Sequence, residues 1–200
     1  EGARNFCKTL CCRYKILLIM PVQEINISDI LVEKSRFSLS GICFETEHHE
    51  NPLEDSFRNS GILLPVVVQQ DKEGQLHLID GRKRIRYAMK NQSEEISAVV
   101  LTEEMPVTDI LLYMLCDKRV QIEQSAINKV QFICFALSLG ADEPWILNSL
   151  CAPFGFKPYR EFLKDCGRID GLPESVKLFC HEKKFSLKQV LNLAHYPEEI

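Results

Sequence analysis

Hydrophobic and polar positions follow two different periods along the chain, and the change between them divides the sequence into two parts. In the first part, apolar runs of strand length alternate with turn residues, at Leu63–Gln70, Gln75–Ile79 and Ile96–Leu101. From Thr108 onward apolar residues recur at helical spacing, and no strand-like run appears after Leu101. We therefore predict an α+β fold, in which a small mixed sheet is followed by an all-helical domain.

The same pattern places a domain boundary near Glu103–Pro106. Residues 21–104 are predicted to form the α/β domain, and residues 105–200 the helical domain. Residues 1–20 are interpreted as an N-terminal extension whose order the pattern leaves open. Cap, proline and glycine signals mark the later helices. These are predicted at Glu143–Leu150, Pro158–Cys166, Pro173–His181 and Leu187–Ala194.

Smaller signals complete the first domain. Ile25–Ile30 reads as a short extended segment, and Arg36–Cys43 alternates as a strand does. Pro52–Asn59 has the proline and the apolar spacing of a short helix, and Asp71–Gly74 supplies the turn of a hairpin. A helix over Arg82–Asn91 is predicted to turn its charges outward and its apolar residues inward. The inward residues are Ile85, Ala88 and Met89.

Composition narrows the class of protein. The longest apolar runs, Ile16–Pro21 and Gly61–Val68, are far shorter than the roughly 20 residues of a membrane span. No small-residue cleavage site follows Met20, so we expect a cytoplasmic protein with no membrane partner. The nine cysteines are odd in number and scattered among apolar neighbours, which favours buried thiols, and none has the pairing of a zinc site. The net charge of −4 does not favour coating of nucleic acid, although a local basic patch could still serve.

The most informative window is the junction at residues 76–91, where an apolar strand ends in Asp80 and Gly81 and a helix opens with Arg82, Lys83 and Arg84. First-turn amide groups, the positive end of the helix dipole and three basic side chains would converge there on an anion. Gly81 would let a phosphate approach the backbone without meeting a Cβ atom. The alternative is a basic, solvent-facing helix start without a ligand.

The order of these motifs resembles the ParB N-terminal domain of the ParB and sulfiredoxin-like fold. That family has a Gly-Leu-Leu-x-Pro strand followed by a strand and a basic helix start. The corresponding residues here are Gly61-Ile62-Leu63-Leu64-Pro65 and Asp80-Gly81-Arg82-Lys83-Arg84-Ile85-Arg86. The later segments Leu172-Pro173-Glu174 and Phe185-Ser186-Leu187 resemble the helical, helix-turn-helix-like region that follows in ParB proteins.

The resemblance implies a regulatory protein with a pocket for a nucleotide or another phosphorylated small molecule. In chromosome-partitioning members the nucleotide is CTP, here expected with magnesium, and its triphosphate would lie on Gly81, Arg82, Lys83 and Arg84. Gly61 and Pro65 would form the opposite wall of the pocket. The helical half would contact DNA or a protein partner.

Departures from the family pattern leave other functions open. Arg82 replaces the family's Glu, and Lys118 and Ile122 fall where the family has Asn and Arg, which does not favour nucleotide hydrolysis. Arg82 also replaces the catalytic Cys of sulfiredoxins, so that activity is excluded. A serine kinase branch of the fold retains Asp-Gly and a later Arg, so Asp80 could serve as a base or magnesium ligand in a small-molecule kinase or phosphohydrolase. Asp80 could equally be a plain helix cap. A third alternative is a degenerate interaction module that binds no nucleotide.

In the helical part, the window at residues 157–164 is the candidate for a DNA recognition helix. Lys157, Arg160 and Lys164 recur there at helical spacing and could meet phosphates in a major groove. Glu161 and Asp165 interrupt this basic face, and the spacing is equally that of an ordinary surface helix.

Overall fold

In the computed structural model of the chain, the described residues are 20–39, 44, 57, 59, 61–62, 64–102, 105–117, 122 and 125–195. They fall into two compact units. One unit lies within residues 20–38 and 57–114, and the other comprises Leu39, Phe44 and the described residues from Leu115 onward. The predicted extension at 1–20 lies outside the described residues except for Met20, and of the predicted helix at 52–59 only Phe57 and Asn59 are described, both as helical.

The first unit is built on a mixed five-stranded sheet with the order β1-β5-β3-β4-β2. The strands are β1 Val22–Asn26, β2 Ile30–Leu31, β3 Val66–Gln70, β4 Leu76–Asp80 and β5 Glu95–Leu101. Antiparallel pairs join β1 to β5 and β3 to β4, while β3 to β5 and β2 to β4 are parallel. The predicted hairpin between β3 and β4 and the predicted α+β class are both confirmed.

The core of this unit lies where helix α1, Arg82–Lys90, meets the sheet. Val66 and Val68 of the central strand β3 are fully buried, as expected for a strand covered on both faces. On α1, Ile85 and Ala88 are buried as predicted. Met89 is 59% exposed, so its predicted inward orientation is wrong. Helical spacing places Met89, four residues after Ile85, at the edge of the same face, and the structure leaves this edge exposed.

The helical part matches its predicted pattern in most places. Its helices are α2 Val107–Asp117, α3 Ala126–Ser138, α4 Glu143–Ser149, α5 Phe162–Asp170, α6 Glu174–Glu182 and α7 Leu187–Ala194. The side chains of Ser125, Asp142 and Ser186 accept backbone N–H groups at the starts of α3, α4 and α7. Gly140, with φ 89°, follows the end of α3, as glycine does at many helix ends. Among the described residues no strand follows Leu101, as predicted.

The predicted strand at Arg36–Cys43 is wrong over its described residues, because 36–39 form turns and irregular backbone. Ser35 Oγ donates to the carbonyl of Leu78 at 2.6 Å and accepts from the backbone N–H of Phe37 at 3.2 Å. The backbone N–H of Arg36 donates to Nδ1 of His77 at 3.4 Å. Contacts to side chains thus replace the ladder hydrogen bonds that a strand would make.

Side chains of the helical unit also limit its chemistry. Burial raises the pKa of the Cys134 thiol to about 12 and that of Cys151 to about 11, so both remain protonated at neutral pH.

In the described part of the chain, no helix combines the length and apolar character needed to cross a membrane.

Candidate functional site at the start of helix α1

The turn from β4 into α1 depends on a glycine. Gly81 occupies the N-cap position with left-handed backbone, φ 111°, and it is buried. A Cβ atom there would lie 2.6 Å from Cγ1 and 2.9 Å from Cβ of Val66. Gly81 therefore allows both the turn and the close packing of the junction on β3. The interpretation of Asp80 as the helix cap is wrong, since Asp80 is the last residue of β4 and Gly81 takes the cap position.

Arg84 holds the junction together. Its Nη2 atom pairs with Oδ2 of Asp80, and the two side chains are only 14% and 12% exposed. Its Nη1 atom donates to the carbonyl oxygens of Leu64, at 3.1 Å, and Pro65. The guanidinium group thus fastens the segment before β3 to the start of α1, and it engages the Asp80 carboxylate at the same time.

Arg82 and Lys83 are the more accessible cations of the first turn. Arg82 donates through Nη2 to Oγ of Ser38, and its Nη1 atom lies 3.4 Å from Oε2 of Glu33. Arg86, one turn later, donates to the other Glu33 oxygen at 3.1 Å. Lys83 is exposed and has no ion-pair or hydrogen-bond partner among the described residues. Among the described residues, the Glu33 carboxylate, 61% exposed, is an acidic group that an incoming anion would meet.

The structure brings together most of the residues predicted for this site. Asp80, Gly81, Arg82 and Arg84 follow one another at the junction of β4 and α1, and Arg84 contacts both Asp80 and Pro65. Gly61 is exposed with φ 70°, and its backbone N–H donates to the carbonyl of Phe57 at 2.9 Å. Its predicted role as a wall of the pocket, like the phosphate-binding roles of the others, stays a prediction.

Sequence reasoning missed Glu33 and Ser38. Both lie 44 or more residues before the basic helix, Ser38 within the predicted strand at Arg36–Cys43, and no spacing rule connects them to Arg82. Their contact depends on the turns at residues 32–38, which are stabilised by bonds to β4.

The described residues contain no group of three or more His, Cys, Asp and Glu side chains placed to hold a metal ion. The Asp80 carboxylate pairs with Arg84, and its role as a base or magnesium ligand stays a prediction. A magnesium ion at this site would need oxygen ligands from the nucleotide and from water as well as from the protein.

In the helical unit, the predicted recognition helix at residues 157–164 is wrong in its first half, because α5 begins only at Phe162. Tyr159 donates its hydroxyl to Oδ2 of Asp165, and its ring packs edge-on against Phe162 at 5.7 Å. These contacts hold the preceding segment outside the helix. Lys157 and Arg160 are therefore exposed on irregular backbone, while Lys164 lies on α5 and pairs with Glu161 at 2.9 Å. DNA contact by these three residues stays a prediction, as does a helix-turn-helix arrangement.

Comparisons with known proteins address the fold and the family. Two solved structures of the chromosome-partitioning protein ParB from Caulobacter crescentus are similar to this chain, one complexed to the centromeric parS site and one with CTP-γ-S. The first is 13% identical with a TM-score of 0.40, covering 88% of this chain and 86% of that one. The second is 15% identical with a TM-score of 0.36, covering 89% and 94%. No curated protein matches this chain.

The family model for the ParB N-terminal domain matches residues 20–112. This span contains the whole sheet, helix α1 and the first half of α2, and a helical region follows it. The resemblance inferred from the motifs at Gly61–Pro65 and Asp80–Arg86 is thereby confirmed. Residues 20–112 thus match the ParB N-terminal domain family.

Proposed function

We propose that the ParB-type domain is a regulatory module that binds a nucleotide, or another phosphorylated small molecule, at the start of α1. CTP with magnesium is the ligand that the family resemblance favours. The observation that carries this proposal is the first turn of α1, which has three basic residues and no acidic one. Its amide groups, its dipole and its side chains all favour a bound anion.

The geometry supports different roles for the three basic residues. Arg82 and Lys83 would contact phosphate oxygens. Lys83 is exposed, and among the described residues Arg82 is held only by Ser38 and a solvent-facing carboxylate. Arg84 would position the site, since its guanidinium already binds Asp80 and two carbonyl groups. Pro65, whose carbonyl group binds Arg84, would form one side of the pocket together with Gly61.

The Glu33 carboxylate would compete with a bound phosphate for Arg82. A phosphate bound by Arg82 would have to displace the Glu33 carboxylate or accept its repulsion. Glu33→Gln should therefore strengthen nucleotide binding by about two- to fivefold, in keeping with the modest strength of exposed ion pairs.

An enzymatic function receives less support from the structure. A base or a magnesium ligand must present a carboxylate to the substrate, whereas the Asp80 carboxylate is engaged by Arg84. If the chain were a kinase or phosphohydrolase, Asp80→Asn would abolish magnesium-dependent turnover. We expect no such turnover in the wild type. The interaction-module alternative differs from the proposal in requiring that no nucleotide bind.

The test is calorimetric titration of CTP, ATP and GTP, with and without magnesium, into the wild type and three variants. Arg82→Ala and Lys83→Ala should each weaken binding by about tenfold, because charge-assisted hydrogen bonds to phosphate are the strong ones. Arg86→Ala is the matched control. Like Arg82→Ala, it removes one positive charge and one contact with Glu33 from α1, but it does so one turn after the helix start.

Binding by the wild type that Arg86→Ala retains and the two first-turn variants lose would support the proposal. No binding of any nucleotide by the wild type would refute it and favour the interaction module. Equal losses in all three variants would show a general charge effect and would also contradict the proposed site.

A further inference from the structure

A groove of about 870 Å³ lies within the helical unit, apart from the site at α1. Three segments form it: the start of α3, the irregular backbone before α5, and the stretch from the end of α6 into α7. We call it the lysine groove. Its lining residues are Ser125, Ala126, Lys129, Gly155, Phe156, Lys157, Lys184, Phe185, Ser186, Leu187, Lys188 and Leu191.

The charged residues that line the lysine groove are all basic. Lys129, Lys157, Lys184 and Lys188 line it, and no Asp or Glu is among its described lining residues, although the chain as a whole carries a net charge of −4. Lys157, Lys184 and Lys188 are exposed, and their side chains make no ion pair or hydrogen bond with the residues that the structure describes. Unpaired like charges gathered in a recess repel one another, so an anion bound among them would be stabilised.

Two helices place their lysines where the helix dipole disfavours them. Helices α3 and α7 both begin at the groove and both lack an acidic residue in the first turn. Lys129 and Lys188 lie in or next to those first turns, against the usual preference for negative charge at a helix N-terminus. This arrangement costs stability in the unliganded protein and favours an anion in the groove.

Lys184, which also lines the groove, has an unfavourable backbone conformation. It adopts left-handed backbone, φ 52°, just after the end of α6, where its N–H donates to the carbonyl of His181 at 3.1 Å. Glycine is the usual residue in this position, because a side chain there strains the left-handed backbone. A lysine at this position therefore adds a charge to the groove at the expense of backbone strain.

The remaining walls are apolar and half-buried. Phe156, Phe185 and Leu191 line the groove between the lysines, and Lys129 Nζ lies 5.8 Å from the centre of the Phe156 ring while donating to the carbonyl of Phe154 at 3.0 Å. The volume falls within the range of small-molecule sites, which combine apolar walls with a few convergent polar groups.

We propose that the lysine groove binds a small phosphorylated molecule, with its phosphate groups among the four lysines and its organic part against Phe156 and Phe185. This is a second anion site, independent of the one proposed at α1. It lies on other elements and uses none of the same residues.

The test uses sodium pyrophosphate, at constant ionic strength and without metal, as the probe in calorimetric titrations of the full chain. Lys184→Gly removes one groove charge and relieves the left-handed strain, so the fold should be retained, with a melting temperature equal to or above that of the wild type. Lys188→Ala removes a second groove charge from an exposed helical position. Lys183→Ala is the matched control, since its exposed side chain neighbours Lys184 in sequence and does not line the groove.

We expect Lys184→Gly and Lys188→Ala each to weaken pyrophosphate binding by about tenfold, and Lys183→Ala to leave it within about twofold. The Arg82→Ala/Lys83→Ala variant should retain the groove site, which separates this proposal from that at α1. If only that variant loses pyrophosphate binding, the groove proposal fails while the α1 site stands.

Three other outcomes would overturn the groove proposal. These are the absence of binding by the wild type, equal losses in Lys183→Ala and Lys184→Gly, and tighter binding of a DNA duplex or an acidic peptide that pyrophosphate cannot displace. The last outcome would identify the groove as a macromolecular contact.

Discussion

Replacement of Gly81 by alanine is the perturbation whose cost follows most directly from the geometry. The new Cβ atom would lie 2.6 Å from Cγ1 of the fully buried Val66, well inside van der Waals contact, on backbone with φ 111°. The left-handed conformation should cost about 1–2 kcal/mol and the overlap in a packed core a further 1–3 kcal/mol. We expect Gly81→Ala to lower the free energy of unfolding of the first unit by about 2–5 kcal/mol.

Gly61→Ala is the matched control. Gly61 has φ 70°, but a Cβ atom there would have no neighbour within 4 Å, so only the backbone cost of about 1 kcal/mol should remain. Urea denaturation followed by circular dichroism measures both changes. Val66→Ala combined with Gly81→Ala should show favourable coupling, because it removes the clashing methyl groups. Equal destabilisation by the two glycine substitutions would refute this account of the junction.

Other consequences concern the two units separately. Arg84→Ala should destabilise the first unit by about 2–4 kcal/mol in urea, since it removes the guanidinium partner of the mostly buried Asp80 carboxylate. Arg82→Ala should cost less than about 1 kcal/mol, and equal costs would contradict the clamp role of Arg84. Burial lowers the pKa of His181 below its ordinary 6.5, so the unfolded chain takes up the proton first and the helical unit should lose stability as pH falls below 6.5. Thermal melts between pH 7.5 and 5 should show this loss, and His181→Gln should reduce it. Tyr159→Phe removes the hydroxyl bond to Asp165 and should destabilise α5 by about 1 kcal/mol in urea, with no change expected if that bond is not formed.

The parts of the fold that the sequence predicts well are those encoded locally. The hairpin turn between β3 and β4 depends on Asp71, whose carboxylate accepts the backbone N–H of Gln75 at 2.7 Å, only four residues on. The start of α7 depends on Ser186 and Gln189, which form a reciprocal capping box. Such signals can be read in a short window because all their partners lie within it.

The parts that the sequence predicts poorly depend on distant partners. The turn at Ser35–Phe37 is held by Leu78 and His77, more than 40 residues away, and its own residues alternate as a strand would. The late start of α5 follows from the contact of Tyr159 with Asp165, which outweighs the helical spacing of the preceding residues.

The candidate site shows the same division. Its basic residues are contiguous, so Gly81 to Arg84 could be identified as a group from the sequence. The difference between an exposed Lys83 and a clamped Arg84 depends on the carbonyl groups of Leu64 and Pro65, which tertiary structure brings to the helix start. The lysine groove is harder still to predict, since its four lysines are spread from residue 129 to residue 188.

The central claim, that the start of α1 is the anion site of the ParB-type domain, is tested most directly by residue-resolved titration. Backbone amide resonances of the ¹⁵N-labelled protein would be followed while CTP and magnesium are added. We predict saturable shifts centred on Gly81, Arg82 and Lys83, with smaller changes at Glu33 and Ser38. Shifts that leave these five residues unchanged, or no shifts at millimolar nucleotide, would contradict the claim.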